Sequence, residues 1–215
     1  YVLKDNSRGT IIHTKNLDNS TNTVNSFEIS DEDNIWTSLE HDPYNIRMGL
    51  DVHWTLQKIY DYFEINYGIK SFNNDSFDIT AYIKYGTGDN ADLARWHPES
   101  HYLMFGEGYS LFKPLASIDV VAHEYGHAIS DLKLGMPYQS NSITAYLQEG
   151  ISDIWGIILE NYILPNDIWK LGEQVTKTNS CTRNIANPSD TNALTKLNTT
   201  YRSNSYNKAS GNYSN

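Results

Sequence analysis

Apolar residues recur at helical spacing in three stretches of this 215-residue chain. The first runs from about Asn45 to Tyr67, the second from Ile118 to Leu132, and the third from about Ile143 to Tyr162. A stripe of this kind predicts a helix with one face in the core. On the first helix the inward residues are predicted to be Leu50, Trp54, Ile59 and Phe63. On the third helix they are predicted to be Ile151, Ile154, Trp155, Ile158 and Leu159.

Before residue 115 most of the remaining chain has the character of short strands and loops. The segments Phe77–Lys84 and His101–Phe105 indicate strands, the former through its alternating apolar and polar positions. From Asp119 the pattern predicts helices to about Val175, after which Asn, Ser and Thr dominate. We therefore expect an α+β fold with a β-rich lobe at 1–118, containing one long helix, and a partial, mainly helical lobe at 119–215. The second helix then lies at the junction of the lobes, where substrates commonly bind.

The second helix carries the pentapeptide His123-Glu124-Tyr125-Gly126-His127. Residues four apart share one face of a helix, so the two imidazoles can hold one metal ion. Glu124 lies about 100° further round the helix, which suits contact with a metal-bound water better than direct ligation. This His-Glu-X-X-His pattern predicts a zinc hydrolase.

Catalytic zinc takes three protein ligands and leaves a further position open for water. Glu149 on the third helix is the candidate third ligand, and Asp153 is its neighbour one turn later. One carboxylate would then bind the metal, while the other accepts the remaining N–H of a ligand histidine. The alternative is an acidic pair on a solvated helix face.

Several segments together resemble the thermolysin-like zinc metalloproteases. The strongest are Asp119–Ala128, Tyr138-Gln139 and Gln148–Gly156, and weaker ones are Leu3–Gly9, Asp31–Asn34 and Phe105–Gly108. The resemblance covers nearly the whole chain. It implies the two-lobe thermolysin-like fold, with a β-rich N-terminal lobe, a mainly α C-terminal lobe and the His-Glu-X-X-His helix between them.

The resemblance also implies a role for each matching residue. His123, His127 and Glu149 are implied zinc ligands, Glu124 is the implied base acting on water, and Asp153 is the implied partner of His123. In the same way, Tyr138 is expected to donate a hydrogen bond to the tetrahedral intermediate, and Arg183 to bind the substrate carbonyl. The alternative for Tyr138 is a packing residue, and for Arg183 a surface charge.

The segment Asp89–Trp96 resembles the strand edge to which the family's substrates bind. Because this segment carries extra residues, the anchor is either Asn90-Ala91 or Ala94, and Asn90 is the residue that we predict. Val120 and Leu171 match apolar positions of the pocket for the residue after the scissile bond. Thr182 stands where the family commonly has leucine, which alters that pocket.

Calcium is the second metal that the resemblance implies. Asp119, Glu160 and Glu173 match calcium ligands of the family, whereas Lys170 and Ile168 replace acids of its paired calcium site, with Asp167 adjacent. A cation there would repel a second ion, so we expect at most one calcium. A separate surface calcium site is implied by Asp31 and Asp33. Ordinary surface acidity is the alternative for both groups.

Composition excludes some partners. The net charge of −10 and pI near 5.0 argue against nucleic acid, whose phosphates need clustered Lys and Arg. Cys181 is the sole cysteine, so no intramolecular disulfide can form. No run of 18 apolar residues indicates a membrane span. The resemblance further implies a secreted enzyme, a precursor with a propeptide, and a peptide or protein as substrate.

One feature of the family is missing, namely the Asp-Asn-Gly-Gly-Val-His motif whose histidine stabilises the transition state. Loss of such a donor typically costs about 100-fold in rate, so weak or absent activity is expected of these 215 residues alone.

The main hypothesis is a secreted zinc endopeptidase, and the alternative is a non-catalytic zinc-binding module that recognises peptides. Glu124 favours the enzyme, because a binding module has no use for a base beside the water. A zinc hydrolase of some other bond stays open.

Overall fold

A mixed, six-stranded sheet lies in the first half of the chain. The structure is a computed structural model that describes residues 1–37, 47–138, 142–165, 169–178 and 180–187. The strands of the sheet are β1 (Lys4–Asp5), β2 (Ile12–Asn16), β3 (Phe27–Glu28), β4 (Ile79–Ile83), β5 (Ala94–His97) and β6 (Tyr102–Phe105). Their order is β1-β2-β4-β6-β5, and β3 pairs with β2.

The centre of the sheet is parallel and its last pair is antiparallel. Strand β4 runs parallel to both β2 and β6, while β5 pairs antiparallel with β6 and ends the sheet. Alternate residues of β4 (Ile79, Ala81 and Ile83) are fully buried, as the alternating pattern of Phe77–Lys84 predicts. The predicted strand at His101–Phe105 is likewise confirmed as β6.

Three helices follow the predicted ranges closely. They are α1 (Arg47–Tyr67), α2 (Ile118–Leu132) and α3 (Ile143–Ile163). The predicted start of α1 at Asn45 lies outside the described residues. Helix α3 begins after Ser142, whose hydroxyl accepts a 3.1 Å hydrogen bond from the backbone N–H of Ala145 and so caps the first turn.

The predicted inward face of α1 is partly wrong. Ile59 and Phe63 are buried, but the Trp54 side chain is 44% exposed and lies 5.5 Å from the ammonium of Lys58. Val52 and Leu56 occupy the core instead. They lie on the same face as Ile59 and Phe63. Trp54 is two residues after Val52 and two before Leu56, so its side chain points about 200° away from theirs.

The predicted buried stripe of α3 is also largely wrong, since only Leu159 is fully buried and Ile154 is 56% exposed. The face that α3 turns towards α2 carries small and polar residues. A Cβ on Gly126 of α2 would lie 2.9 Å from the Cα of Ser152. The helix backbones therefore approach too closely for large apolar side chains.

After α3 the expected helical continuation to Val175 is wrong. The chain forms a short antiparallel pair instead, β7 (Lys170–Leu171) with β8 (Arg183–Asn184). The backbone N–H and the hydroxyl of Thr182 both donate 2.7 Å hydrogen bonds to the Leu171 carbonyl. This pair lies against α3 and Asp119 of α2, because the N–H of Gly172 donates to the Asp119 carboxylate.

One hydrophobic cluster fills the space between the sheet and the helices. It contains residues of β2, α1, α2 and α3, including Ile12, Phe63, Tyr125 and Leu159. The cluster therefore spans the predicted lobe boundary at residues 118 and 119, and the division into two lobes stays a prediction. None of the helices within the described ranges has the length and apolar character needed to cross a bilayer.

Candidate metal centre and catalytic cleft

Helix α2 presents two histidine side chains side by side at its buried surface. The Nε2 atoms of His123 and His127 are 3.1 Å apart, and each residue is 7% exposed. The opposite face of α2 places Val121, Ala122 and Tyr125 in the hydrophobic core, which fixes the rotation of the helix. Both ring nitrogens consequently face a common point.

Glu149 of α3 completes this group. Its carboxylate oxygens lie 3.4 Å from His123 Nε2 and 3.5 Å from His127 Nε2. Ligand atoms about 2.0–2.1 Å from a tetrahedral zinc ion are separated from one another by about 3.3 Å, so the three residues suit that metal. The Glu149 side chain is 40% exposed, which leaves an approach from the solvent side.

Each histidine is oriented through its other ring nitrogen by a residue of α3. His123 Nδ1 lies 2.9 Å from Asp153 Oδ1, and His127 Nδ1 lies 3.0 Å from Gln148 Oε1. Gln148 is fully buried, and its amide also donates to the Met136 carbonyl. Sequence reasoning missed Gln148, although a polar residue directly before a predicted ligand is a signal that could have found it.

The local field favours a positive charge between the two rings. Burial of His123 lowers its pKa, but hydrogen bonds to Asp153 and Glu149 and the charge of Glu124 outweigh it and raise the pKa to about 9. Burial raises the pKa of Glu149, yet the hydrogen bond and charge of His123 leave it below its usual value. A metal cation would occupy the place that a proton otherwise takes.

Glu124 points from α2 to the edge of the sheet. Its Oε2 accepts a 2.8 Å hydrogen bond from the backbone N–H of Trp96 in β5, and the residue is 7% exposed. A buried carboxylate held by a backbone donor keeps one orientation. It is therefore placed beside the histidine pair without being part of the group that contains Glu149.

A cleft of about 520 Å³ opens over these side chains. One wall is formed by Asp92–Trp96, which lead into and include the start of β5, and another by apolar side chains that include the predicted pocket residues Val120 and Leu171. Leu171 is buried in β7, and Val120 is half-buried on α2. The cleft thus has a strand edge on one side and an apolar recess on the other.

Tyr138 lines the cleft near His127, at 6.0 Å between ring centroids, and is 43% exposed. Burial and the charge of Glu149 raise the pKa of its hydroxyl, which therefore stays protonated at neutral pH and can donate a hydrogen bond. Arg183 also lines the cleft, but its Nη2 lies 2.7 Å from Asp153 Oδ1 and 3.4 Å from His123 Nδ1. Its guanidinium is thus directed at Asp153, the carboxylate that contacts His123.

The structure does not place Asn90 and Ala91 on the sheet edge. Both lie in a short 3₁₀ helix, Gly88–Asp92, and neither lines the cleft. Ala91 is buried, and its carbonyl accepts a hydrogen bond from Gly108. The edge strand beside the cleft begins at Ala94 instead, because residues 88–92 form the 3₁₀ helix.

A second group of acids includes Asp119, which also lines the cleft. Asp119, Glu160 and Glu173 bring carboxylate oxygens within 4.8 Å of one another, and the first two residues are buried. Gln174 donates to Glu160 at 2.9 Å, and Val120 N donates to Asp119 at 2.8 Å. Buried carboxylates this close repel one another unless a cation or protons intervene.

Asp31 and Asp33 do not form such a group within the described ranges. Asp31 Oδ1 accepts from the Asn34 N–H, and Asp33 Oδ1 accepts from the Ile35 N–H, so both carboxylates support a local turn. The positions Asp167 and Ile168, which bear on the expected number of calcium ions, lie outside the described residues.

More than half of the chain matches one known protein family. Residues 1–131 match the family model described as thermolysin metallopeptidase, catalytic domain. The chain belongs to this family. The matched range of this thermolysin-family chain includes the histidine pair and Glu124, but ends before Glu149.

Curated relatives of the thermolysin-family chain are proteases by name. Neutral protease NprE of Bacillus pumilus is 31% identical over 195 residues, which is 89% of this chain and 60% of that protein. Bacillolysin of Bacillus subtilis (strain 168) is also 31% identical over 195 residues, which is 34% of its length. Thermostable neutral protease NprT of Geobacillus stearothermophilus is 32% identical over 175 residues, 81% of this chain and 30% of that protein. The chain therefore spans between 30% and 60% of the length of these relatives.

A solved structure supports the fold. The precursor of protealysin, a metalloproteinase from Serratia proteamaculans, superposes with a TM-score of 0.66 over 86% of this chain and 56% of that chain. At 20% sequence identity this likeness concerns the fold alone. The predicted α+β, thermolysin-like fold is confirmed.

Proposed function

We propose that this chain is the catalytic part of a zinc endopeptidase, with His123, His127 and Glu149 as zinc ligands and Glu124 as general base. The observation that carries the proposal is the joint placement of these four groups. Three nitrogen and oxygen donors converge at tetrahedral spacing, and a separately held carboxylate lies beside them. A zinc ion there would lower the pKa of a bound water to about 7 and polarise the substrate carbonyl.

Residues of the chain would transfer the proton, stabilise the negative oxygen and orient the imidazoles. Glu124 takes a proton from the attacking water and delivers it to the leaving amine, and its bond to Trp96 N–H keeps it oriented. Tyr138 donates a hydrogen bond to the oxygen that becomes negative in the transition state. Asp153 and Gln148 hold the two imidazoles in the ligating tautomer.

For Arg183 we propose a second role beside the binding of the substrate carbonyl that the resemblance implies. Its 2.7 Å ion pair with Asp153 supports the carboxylate that orients His123, so it acts through the metal ligand. Its place in the cleft wall also leaves an edge of the guanidinium near the substrate. The proposed substrate is a peptide or protein that extends along β5, with the residue after the scissile bond in the recess of Val120 and Leu171.

The acid group is proposed as a site for one calcium ion. Hard cations prefer carboxylate and carbonyl oxygens, and Asp119, Glu160 and Glu173 offer three carboxylates within 4.8 Å. The position lies between α2, α3 and the segment after β7, so an ion there would tie these elements together. Secretion, a propeptide and a two-lobe division are parts of the same proposal that rest on family membership.

The test is cleavage of a fluorescence-quenched generic protein by the purified chain, with and without a zinc chelator. The variants are Glu124→Gln and, as a matched control on the surface of α1, Glu64→Gln. Cleavage that the chelator and Glu124→Gln both abolish, and that Glu64→Gln retains, supports the proposal. Absence of cleavage with one bound zinc per chain overturns it and favours the non-catalytic zinc-binding module that recognises peptides.

A further inference from the structure

One arginine in the wall of the cleft has no acidic partner among the described residues. Arg95 lies in β5, has an exposed side chain and lines the cleft. Across the described ranges its guanidinium has neither an ion pair nor a hydrogen bond. Arg183, the other arginine of the cleft, is instead held by Asp153. Arg95 is therefore the cation that remains available to a ligand.

The backbone of β5 shows how a ligand would meet this side chain. The carbonyls of Leu93 and His97 accept hydrogen bonds from Gly106 and His101, on the side of β6. The N–H of Trp96 points the other way, to Glu124. Because polar groups alternate along a strand, those of Ala94 and Trp96 face the open edge. An extended peptide added at this edge would run alongside Arg95.

Side chains of such a peptide would alternate between the two faces of the sheet. The Trp96 side chain is 4% exposed and packs in the core, so its neighbour Arg95 projects on the outer face. A peptide residue on that outer face would lie within cross-strand reach of the guanidinium. Opposite charges in such a pair attract.

Arg95 lies at one particular end of the cleft. Its neighbour Trp96 donates from its backbone N–H to Glu124 and from its indole N–H to Asp131 at 3.1 Å, so this part of β5 lies beside the later turns of α2, where the Tyr138 ring is 6.0 Å from that of His127. The apolar recess of Val120 and Leu171 lies at the other end, where Arg183 approaches His123. If the recess takes the residue after the scissile bond, Arg95 meets residues before it.

The other charged side chains that line the cleft are mostly acidic. Asp92, Glu124 and Glu149 line the cleft, and the whole chain carries a net charge of −10. The zinc proposed between His123, His127 and Glu149 would offset part of this negative charge, and a cation on β5 would offset it for a peptide side chain on the outer face of the sheet. A guanidinium binds a carboxylate through parallel N–H···O bonds, so Arg95 can reverse the preference at one position.

We infer that Arg95 is a specificity-determining residue that selects substrates with an acidic side chain shortly before the scissile bond. The inference rests on the proposed function, since it assumes that peptides lie along β5. The alternative role of Arg95 is to hinder pairing of the edge strand with other chains, as charged side chains at such edges do, and that role does not depend on the substrate. The test therefore compares substrates as well as variants.

The experiment uses quenched peptides in matched pairs that differ by Glu or Gln at one position. The positions are the first and second residues on each side of the scissile bond. The protein, its Arg95→Gln and Arg95→Glu variants, and a control Arg47→Gln variant at the start of α1 are compared by kcat/KM. We expect the Glu peptide to exceed the Gln peptide about 5-fold at one position before the bond. The ratio falls to about 1 in Arg95→Gln, inverts in Arg95→Glu and is unchanged in Arg47→Gln.

Binding provides a second readout that needs no turnover. Fluorescence anisotropy of the same peptides on a zinc-loaded Glu124→Gln background, with and without Arg95→Gln, gives the ratio of their Kd values. If no peptide is cleaved, the proposed function fails, and the Kd ratio alone then decides the role of Arg95. If the Kd values of the Glu and Gln peptides are nearly equal, or if Arg95→Gln leaves their ratio unaltered, the inference is overturned. High salt should reduce the effect.

Discussion

The backbone N–H of Trp96 lies 2.8 Å from Oε2 of Glu124, so one hydrogen bond joins the edge strand of the sheet to the helix that carries both histidines. The two residues are 28 positions apart. The same strand edge is proposed to bind substrate. In the proposed mechanism the position of the base is thereby coupled to the position of the peptide.

Shortening the base should break this coupling. In Glu124→Asp the carboxylate is withdrawn by one methylene and cannot reach both Trp96 N–H and the attacking water. We expect kcat to fall by about 100-fold or more, with zinc content unchanged and KM altered little. Steady-state kinetics and metal analysis check this. Equal rates for the variant and the parent would show that Glu124 is not the base.

Gln148 should matter for zinc affinity although it is not one of the proposed ligands. In Gln148→Leu the acceptor for His127 Nδ1 is lost, so the ring is no longer held in the ligating tautomer. We expect zinc to bind about 10- to 100-fold more weakly. Gln148→Glu keeps an acceptor oxygen and should bind zinc more tightly than the leucine variant. Competition with a fluorescent chelator measures both, and identical affinities would contradict the prediction.

Gly126 is required by the contact between two helices. A Cβ there would lie 2.9 Å from Ser152 Cα, so Gly126→Ala should force α2 and α3 apart and destabilise the fold by about 1–3 kcal/mol. Gly150 of α3 is the matched control, because a Cβ there meets nothing within 4 Å. Gly150→Ala should stabilise by about 0.5–1 kcal/mol. Urea unfolding of both variants decides, and equal effects would refute the packing argument.

Calcium should stabilise the protein through the acid group. At a calcium concentration 100 times its Kd, the gain in free energy of unfolding is about 2.7 kcal/mol. Glu160→Gln should lose this gain, since it removes a buried carboxylate of the group. It should be less harmful without calcium, because the repulsion among Asp119, Glu160 and Glu173 is then reduced. Thermal unfolding with calcium or chelator tests this, with Glu64→Gln as control, and a calcium-independent Tm in the parent would refute the site.

Asp92 should make stability depend on acid pH. Burial raises its pKa, but hydrogen bonds from the backbone N–H groups of the segment 109–112 outweigh this and hold the pKa well below its usual value. A carboxyl group whose pKa is depressed on folding stabilises the protein above its unfolded pKa of about 4 and loses that contribution as pH falls.

Asp92→Asn should therefore be less stable than the parent at pH 7, by about 1 kcal/mol, because the amide offers those N–H groups a weaker, uncharged acceptor. The difference should shrink as pH falls below about 4. Asp89→Asn, in the same 3₁₀ helix, serves as the control. Urea unfolding at pH 7 and pH 3 measures the change. A difference that is constant with pH would remove the proposed role of Asp92.

Local sequence determined much of what is seen. The helices, their approximate ends, the strands β4 and β6 and the convergence of His123 and His127 follow from spacing within contiguous segments. Side chains three or four residues apart on a helix meet whatever the rest of the chain does. Glu149 and Asp153 were predicted in the same way, aided by family resemblance.

Tertiary structure alone decided the remaining features. The exposure of Ile154, the pairing of β7 with β8, the contact of Gln148 with His127 and the bond from Trp96 to Glu124 each depend on another segment. The 3₁₀ helix before β5 likewise keeps Asn90 off the edge, whereas Arg95 lies on it. Helical period identifies which residues share a face, but it does not identify what that face meets. Where the expected apolar stripe of α3 would meet α2, the close approach at Gly126 leaves room only for small and polar residues, among them Gln148 and Asp153, which contact the two histidines.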